Sequence, residues 1–233
     1  MTDALGLGGQ RVLVVGAASG IGAAVARLAA AEGAELVTVD REPMPVPPGG
    51  QAITLDIADR PSVEAALATL GQIDALVVSA AYCSFDDWLD PDWDAAFDRT
   101  MEVNVRGPIN LVRAALTHLP DDSGRIVLLG SVAGRMGGVV AGPHYVASKG
   151  GVHALVRWFA GLAAPRGICV NGVAPGPTET PMIADAGVDA ARIPLGRVAR
   201  PEEIAWPVLF LASPRASYVT GAVLDVNGGL HVS

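Results

Sequence analysis

Arg11-Val12-Leu13-Val14-Val15-Gly16-Ala17-Ala18-Ser19-Gly20-Ile21-Gly22-Ala23-Ala24-Val25-Ala26 reads as an apolar strand, a glycine-rich turn and the start of an alanine-rich helix. Such a turn aims bare backbone N–H groups and the positive end of the helix dipole at one spot, which suits a pyrophosphate, while Gly22 permits close helix packing. The three-glycine spacing alone is weak, arising by chance roughly 0.4 times in a chain of this composition; the strand before it and the helix after it give it meaning. Asp40 follows 18 residues beyond Gly22, at the end of the second strand, where a carboxylate can accept both hydroxyls of an adenosine ribose. A 2'-phosphate would be repelled there, so NAD is expected; the adjacent guanidinium of Arg41 leaves NADP open.

Along the rest of the chain short β-branched runs alternate with longer helical patterns. Strands are expected at Arg11–Val15, Glu35–Val39, Ala52–Leu55, Ala75–Ser79, Arg125–Leu129, Cys169–Ala174 and Val223–Val226. Helices are expected at Ile21–Glu32, Pro61–Leu70, Asp94–Leu119, His144–Ala164 and Pro201–Leu211. Arg41–Gly50 carries four prolines, so it is expected as a short extended loop over the sheet edge rather than a helix. The expected fold is α/β: a single doubly wound domain over residues 1–233, with a seven-stranded, mostly parallel sheet and helices on both faces. Residues 10–80 form mainly the cofactor-binding half, 100–182 the catalytic half and 183–195 a short substrate loop.

Composition narrows the function. The 233 residues are 51% hydrophobic with net charge -8, enough to fill a sizeable core. With an acidic balance and no basic run, neither nucleic acid nor an anionic membrane is expected as a partner. No stretch has the length of about 18 to 20 apolar residues that spans a bilayer, and the start Met1-Thr2-Asp3-Ala4 lacks a basic n-region, so a cytoplasmic protein is expected. Cys83 and Cys169 make neither a disulfide framework nor a CxxC pair, and the four histidines show no ligand spacing, so no metal is expected. Of 16 basic residues 15 are arginine; Lys149 is the only lysine.

That lysine lies four residues after Tyr145, on the same helical face. A phenol titrates near pH 10, and a nearby ammonium favours the phenolate, moving Tyr145 toward general acid/base use. Ser131 sits 14 residues upstream, just past the fifth strand, at the end of a parallel sheet where ligands bind. Its hydroxyl can donate to a substrate carbonyl oxygen as negative charge develops. A nucleophilic serine would need a positioned histidine and usually a GxSxG elbow, neither of which is evident.

Together these residues resemble the classical short-chain dehydrogenase/reductases over nearly the whole chain, Arg11 to Gly229. Gly16 to Gly22 resembles the family's TGxxxGIG turn, Tyr145 to Lys149 its YxxSK motif, and Ser131 its upstream serine. The resemblance implies a Rossmann-type fold and places Gly16, Ser19, Gly20, Ile21, Gly22 and Asp40 on the cofactor, Asp56 and Ile57 on the adenine, and Ser79, Ala80 and Ala81 beside them. Pro175, Gly176, Thr178 and Thr180 match the PGxxxT stretch that cradles nicotinamide and pyrophosphate. Tyr145 and Lys149 would contact the cofactor as well as act in catalysis with Ser131 and Asn104. The Asn104 backbone carbonyl would hold a proton-relay water, and Pro108 independently predicts a disturbed helical ladder there.

Two departures fall in the nucleotide half: Val15 replaces the expected threonine, and Val78-Ser79-Ala80-Ala81 stands for Asn-Asn-Ala-Gly. Phe159-Ala160-Gly161-Leu162-Ala163-Ala164 lacks the acid often found near the end of that helix, which bears on the homotetramer or homodimer that the resemblance implies. The implied reaction is reversible hydride transfer between NAD(P) and a secondary alcohol or ketone. The alternative is a catalytically silent nucleotide-binding regulatory or scaffold protein of the same fold. Tyr82 to Trp88, Arg135 to His144 and Met182 to Leu195 are the candidate pocket segments, with Tyr82, Phe85 and Trp88 as apolar walls. The last segment is short, which suggests an open site for a bulky or carrier-held substrate. His144 points away from its neighbour Tyr145 and is left out of the catalytic set.

Overall fold

Strands form where the chain runs apolar and β-branched, and the computed structural model, which describes residues 3–138 and 140–232, joins them into one sheet. They are β1 (Arg11–Val15), β2 (Glu35–Asp40), β3 (Gln51–Thr54), β4 (Ala75–Val78), β5 (Arg125–Leu129), β6 (Cys169–Pro175) and β7 (Val223–Val226). Their order is β3-β2-β1-β4-β5-β6-β7, and each neighbouring pair is parallel. The order reverses between β1 and β4, which opens a crevice at the carboxyl ends of the strands.

Alternation of side chains along each strand builds two cores. Leu13, Val15, Leu76, Val78, Ile126 and Leu128 face α2 (Arg60–Ala68), α4 (Gly107–Ala115) and α6 (Pro143–Ala163). Val12, Val14, Val77, Val127 and Val173 face α1 (Gly20–Ala31) and α7 (Pro201–Ala212). Full burial of a side chain such as Leu13, Leu76 or Ile126 contributes roughly 1.5–3 kcal/mol each.

Arg41–Gly50 is free of helix, as its prolines require. The long pattern expected from Asp94 to Leu119 is not one helix. It divides into α3 (Trp93–Met101), a widened π-type turn at Glu102–Arg106, α4, and a tight 3₁₀ turn at Leu116–His118. Pro108 supplies the cause: lacking an N–H, it leaves the Asn104 carbonyl four residues back without its α-helical donor, so the ladder shifts register there. A one-turn helix, α5 (Ala133–Met136), follows β5 and was not foreseen. Among the described residues no helix is long and apolar enough to cross a membrane.

Candidate active site

A cavity of about 640 Å³ lies over the carboxyl ends of the strands, reaching from the glycine-rich turn to the start of α6. At its nucleotide end Gly16 has φ of +84°, and a Cβ there would stand 2.4 Å from the Ala80 nitrogen. Gly22 sits behind the turn rather than in the cavity, and a Cβ on it would come within 1.9 Å of the Gly16 carbonyl oxygen, the close packing its position predicted. Ser19, Gly20 and Ile21 line the cavity, and the first turn of α1 has neither a side-chain cap nor an acidic residue. Its N–H groups therefore face the cavity uncompensated, an arrangement that fits a pyrophosphate.

Asp40 also lines this end. One carboxylate oxygen accepts from the Ala18 N–H at 2.9 Å and the other from the Glu42 N–H at 3.1 Å, while Arg41 pairs with Glu42 at 3.4 Å. Arg41, in this exposed pair, borders the cavity beside Asp40. Asp56 accepts from the Ala58 N–H and pairs with Arg99 at 2.8 Å. Burial works to raise the Asp56 carboxyl, but these two donors outweigh it and leave it below its usual value. Ile57, Ser79, Ala80, Ala81, Pro175, Gly176, Thr178 and Thr180 border the same cavity.

At the other end Ser131, Tyr145 and Lys149 converge. The Ser131 hydroxyl oxygen accepts from the Ala133 N–H at 3.1 Å, which occupies a lone pair and leaves its O–H free to donate into the cavity. Lys149 is only 2% exposed; its Nζ donates to the Leu129 carbonyl at 2.9 Å and stands 5.6 Å from the centre of the Tyr145 ring. Burial brings this ammonium down to about 8. The phenol departs from expectation: burial raises Tyr145 above its ordinary value, the Cys83 thiol adds to the rise, and Ser131 opposes it. Burial therefore governs the phenol in the resting site, contrary to the lowering that the i, i+4 spacing suggested.

Asn104 does not reach the cavity. It is 1% exposed, and its side chain clamps Tyr82, accepting from the Tyr82 N–H at 2.7 Å and donating to the Tyr82 carbonyl at 2.8 Å and to the Ser148 hydroxyl at 3.0 Å. This clamp braces the chain beyond β4, where Ser79 and Ala80 donate only through their backbones to the Val15 carbonyl. Tyr82 and Phe85 line the cavity, but Trp88 does not: the chain has left the sheet by then and Trp88 is 61% exposed. Val139, in the run expected to border the pocket, lies outside the described residues, as do Met1 and Thr2 of the start. His144 is buried with its Nε2 at 2.9 Å from the Ser84 hydroxyl, away from the reacting groups.

Three residues take parts at the site that the sequence did not assign to them individually. Cys83 lines the cavity with its thiol pushed up to about 11 by burial, so it is a neutral thiol at pH 7. Arg99 holds Asp56, and His153 touches the Ser131 backbone, as described below. Neither Arg99 nor His153 carries a local signal, since each partner is more than 20 residues away.

A doubly wound sheet with a phosphate turn at one end of a crevice and a Ser, Tyr, Lys cluster at the other defines a dinucleotide-dependent oxidoreductase. A family model described as enoyl-(acyl carrier protein) reductase matches residues 16–231. The chain is 36% identical to an L-rhamnose 1-dehydrogenase (NAD(P)(+)) of Sphingomonas sp., over 97% of this chain and 98% of that protein. It is 40% identical to a cis-4-hydroxycyclohexanecarboxylate dehydrogenase of Sinomonas cyclohexanicum, over 94% and 96%. A blue fluorescent protein from a metagenomic library, solved in complex with NADPH, superposes with a TM-score of 0.86 at 32% identity, covering 97% of this chain and 99% of that one. The chain belongs to the short-chain dehydrogenase/reductase family, whose members exchange hydride with a nicotinamide dinucleotide.

Proposed function

We propose that this protein reduces an uncharged ketone to a secondary alcohol, reversibly, with NADH preferred to NADPH. The observation that carries the reading is the convergence of Ser131, Tyr145 and Lys149 in one cavity with the open first turn of α1 and Asp40. When bound, the reduced nicotinamide supplies a hydride to the carbonyl carbon. The Ser131 O–H donates to the carbonyl oxygen as charge develops on it, and the Tyr145 phenol gives that oxygen its proton. A phenol raised by burial is protonated at neutral pH, the form this direction needs. Lys149 holds its positive charge beside the phenol and stabilises the phenolate left behind. Asn104, through its carbonyl, anchors the path by which a proton returns.

The preference for NADH rests on Asp40, whose carboxylate lines the nucleotide end of the cavity, held by the Ala18 and Glu42 N–H groups. An uncharged substrate follows from the cavity wall at the reacting end, formed by Tyr82, Cys83, Phe85, Val140, Met182 and Ile183. Apart from Lys149, the charged groups lining the cavity among the described residues are Asp40, Arg41, Glu42 and Asp56 of the nucleotide half and Arg99, which pairs with Asp56. The short 183–195 segment supports a substrate that is bulky or carrier-held. Trp158 and Leu162, left exposed on α6, support self-association as a homodimer or homotetramer, which light scattering would measure.

The test is NADH oxidation against cyclohexanone, long-chain methyl ketones and 3-oxoacyl thioesters, beside their carboxylated and polyhydroxylated counterparts. Tyr145→Phe is expected to abolish turnover and leave NADH affinity nearly intact. Undiminished turnover in that variant would refute the mechanism.

A further inference from the structure

We propose that His153 is a positioning residue for this reaction: its buried neutral ring holds the Ser131 backbone, and through it the Ser131 hydroxyl, where the substrate oxygen meets Tyr145. The inference rests on the reading of Ser131 as the donor to that oxygen.

His153 lies on α6 one turn beyond Lys149 and is 3% exposed. Its Nε2 accepts from the Ser131 N–H at 3.4 Å. The need for a side-chain acceptor there follows from the sheet. Gly130 donates to the Val173 carbonyl and Val132 to the Pro175 carbonyl, each at 2.8 Å, so both flanking amides are held by β6. Pairing of β5 with β4 stops at Val78 and Leu128, so the Ser131 amide between them has no strand to meet. The amide is half-buried at the cavity edge, and the imidazole supplies the partner that the strands do not.

A second observation binds the ring to this place. A Cβ on Gly130 would stand 2.2 Å from the His153 Nε2, so the ring fills the space that only a glycine leaves. The same segment is anchored from the far side by Arg135, which donates to the Val223 carbonyl at 2.9 Å and pairs with Asp225 at 3.3 Å. An accepting Nε2 must be unprotonated. Burial, with the cations Arg135, Lys149 and Arg157 outweighing Asp225, brings His153 down to about 4, which keeps the ring an acceptor at neutral pH. Freed from this bond, the Ser131 amide and hydroxyl would wander by an ångström or less, enough to lower the rate without weakening cofactor binding.

The test compares His153→Leu, which keeps bulk without an acceptor, with His153→Gln, whose Oε1 reaches as far as Nε2, and with Gly130→Ala, which pushes the ring off its place. Ser131→Ala serves as the reference. Steady-state kinetics with NADH and the best ketone of the panel are read beside NADH affinity, thermal melts and hydrogen exchange of the peptide containing Ser131. His153→Leu and Gly130→Ala are expected to lower kcat about tenfold with KM and NADH affinity within about twofold, and to speed exchange at Ser131. His153→Gln is expected to recover most of both. Should His153→Leu fail to fold, Gly130→Ala and His153→Gln carry the test. Wild-type kcat in His153→Leu or Gly130→Ala, while Ser131→Ala is impaired, overturns the proposal alone. A His153→Gln variant that folds, binds NADH normally and stays tenfold slow also overturns it. An unimpaired Ser131→Ala overturns the reading of Ser131 and this proposal with it.

Discussion

Replacing Asn104 with alanine separates its side chain from its backbone carbonyl. The side chain makes three hydrogen bonds at a site 1% exposed: to the Tyr82 N–H, the Tyr82 carbonyl and the Ser148 hydroxyl. Ser148 keeps its own bond to the Tyr145 carbonyl, so the truncation strands two half-buried backbone groups of Tyr82. At about 1–3 kcal/mol for each stranded group, blunted by water entering the space, the expected loss is about 3 kcal/mol. For a chain of this length that lowers the melting temperature by roughly 6–12 °C. Calorimetry of wild type and Asn104→Ala measures it. NADH affinity should fall as well, because Tyr82 continues directly from Ala80 and Ala81, and Ala80 packs on Gly16 in the phosphate turn. Asn104→Asp offers no rescue, since it turns a carboxylate oxygen toward the Tyr82 carbonyl. A melting temperature for Asn104→Ala unchanged from wild type would refute the clamp.

Lys149→Arg should lower turnover by about 10²–10⁴-fold, because a bulkier fork cannot take the buried place of the ammonium, while the far-ultraviolet circular dichroism stays native; wild-type turnover would contradict this. Asp40→Ala should weaken NADH and strengthen NADPH, shifting their affinity ratio about tenfold or more; titration of both by fluorescence decides it. His153 titrates in the folded protein at about 4, below its ordinary 6.5, so the unfolded chain binds the extra proton between these values and stability rises with pH across that window. The contribution is complete above about 6.5 and lost as pH falls through about 4, on the order of 3 kcal/mol, and His153→Gln should lack it. Equal pH dependence of the two unfolding curves from pH 4 to 6.5 would count against a buried neutral ring.

What could be read from the sequence was what lies within one element or at a strand end. The phosphate turn follows β1 without a gap, Asp40 ends β2, Ser131 follows β5, and Tyr145 with Lys149 share one face of α6. Pro108 even announced the shifted ladder at Glu102–Arg106, because a missing N–H is written in the residue itself. What could not be read joins distant segments: Asn104 with Tyr82, Arg99 with Asp56, His153 with Ser131. No local pattern records such a contact. Trp88 failed for a related reason, since an aromatic near a strand end looks like a wall until the path of the loop is known.

The direction of the Tyr145 shift is the sharpest case. Spacing placed a cation one turn away and so promised a more acidic phenol, but proximity along a helix does not say where the charge points. Here Nζ is tied to the Leu129 carbonyl, and burial governs both groups, raising the phenol and lowering the ammonium to about 8. Desolvation favours the neutral form of each, so the resting site holds a protonated phenol beside an ammonium that is itself close to releasing a proton. On the proposed reading such a pair suits proton delivery to a developing alkoxide: the phenol gives its proton and the phenolate gains the ammonium as its counter-charge. An arginine, with its bulkier planar fork, could not take the buried place of Nζ between the Leu129 carbonyl and the Tyr145 ring. The one lysine in a chain of 15 arginines therefore occupies the position where the proposed reaction needs a compact, buried cation beside the phenol.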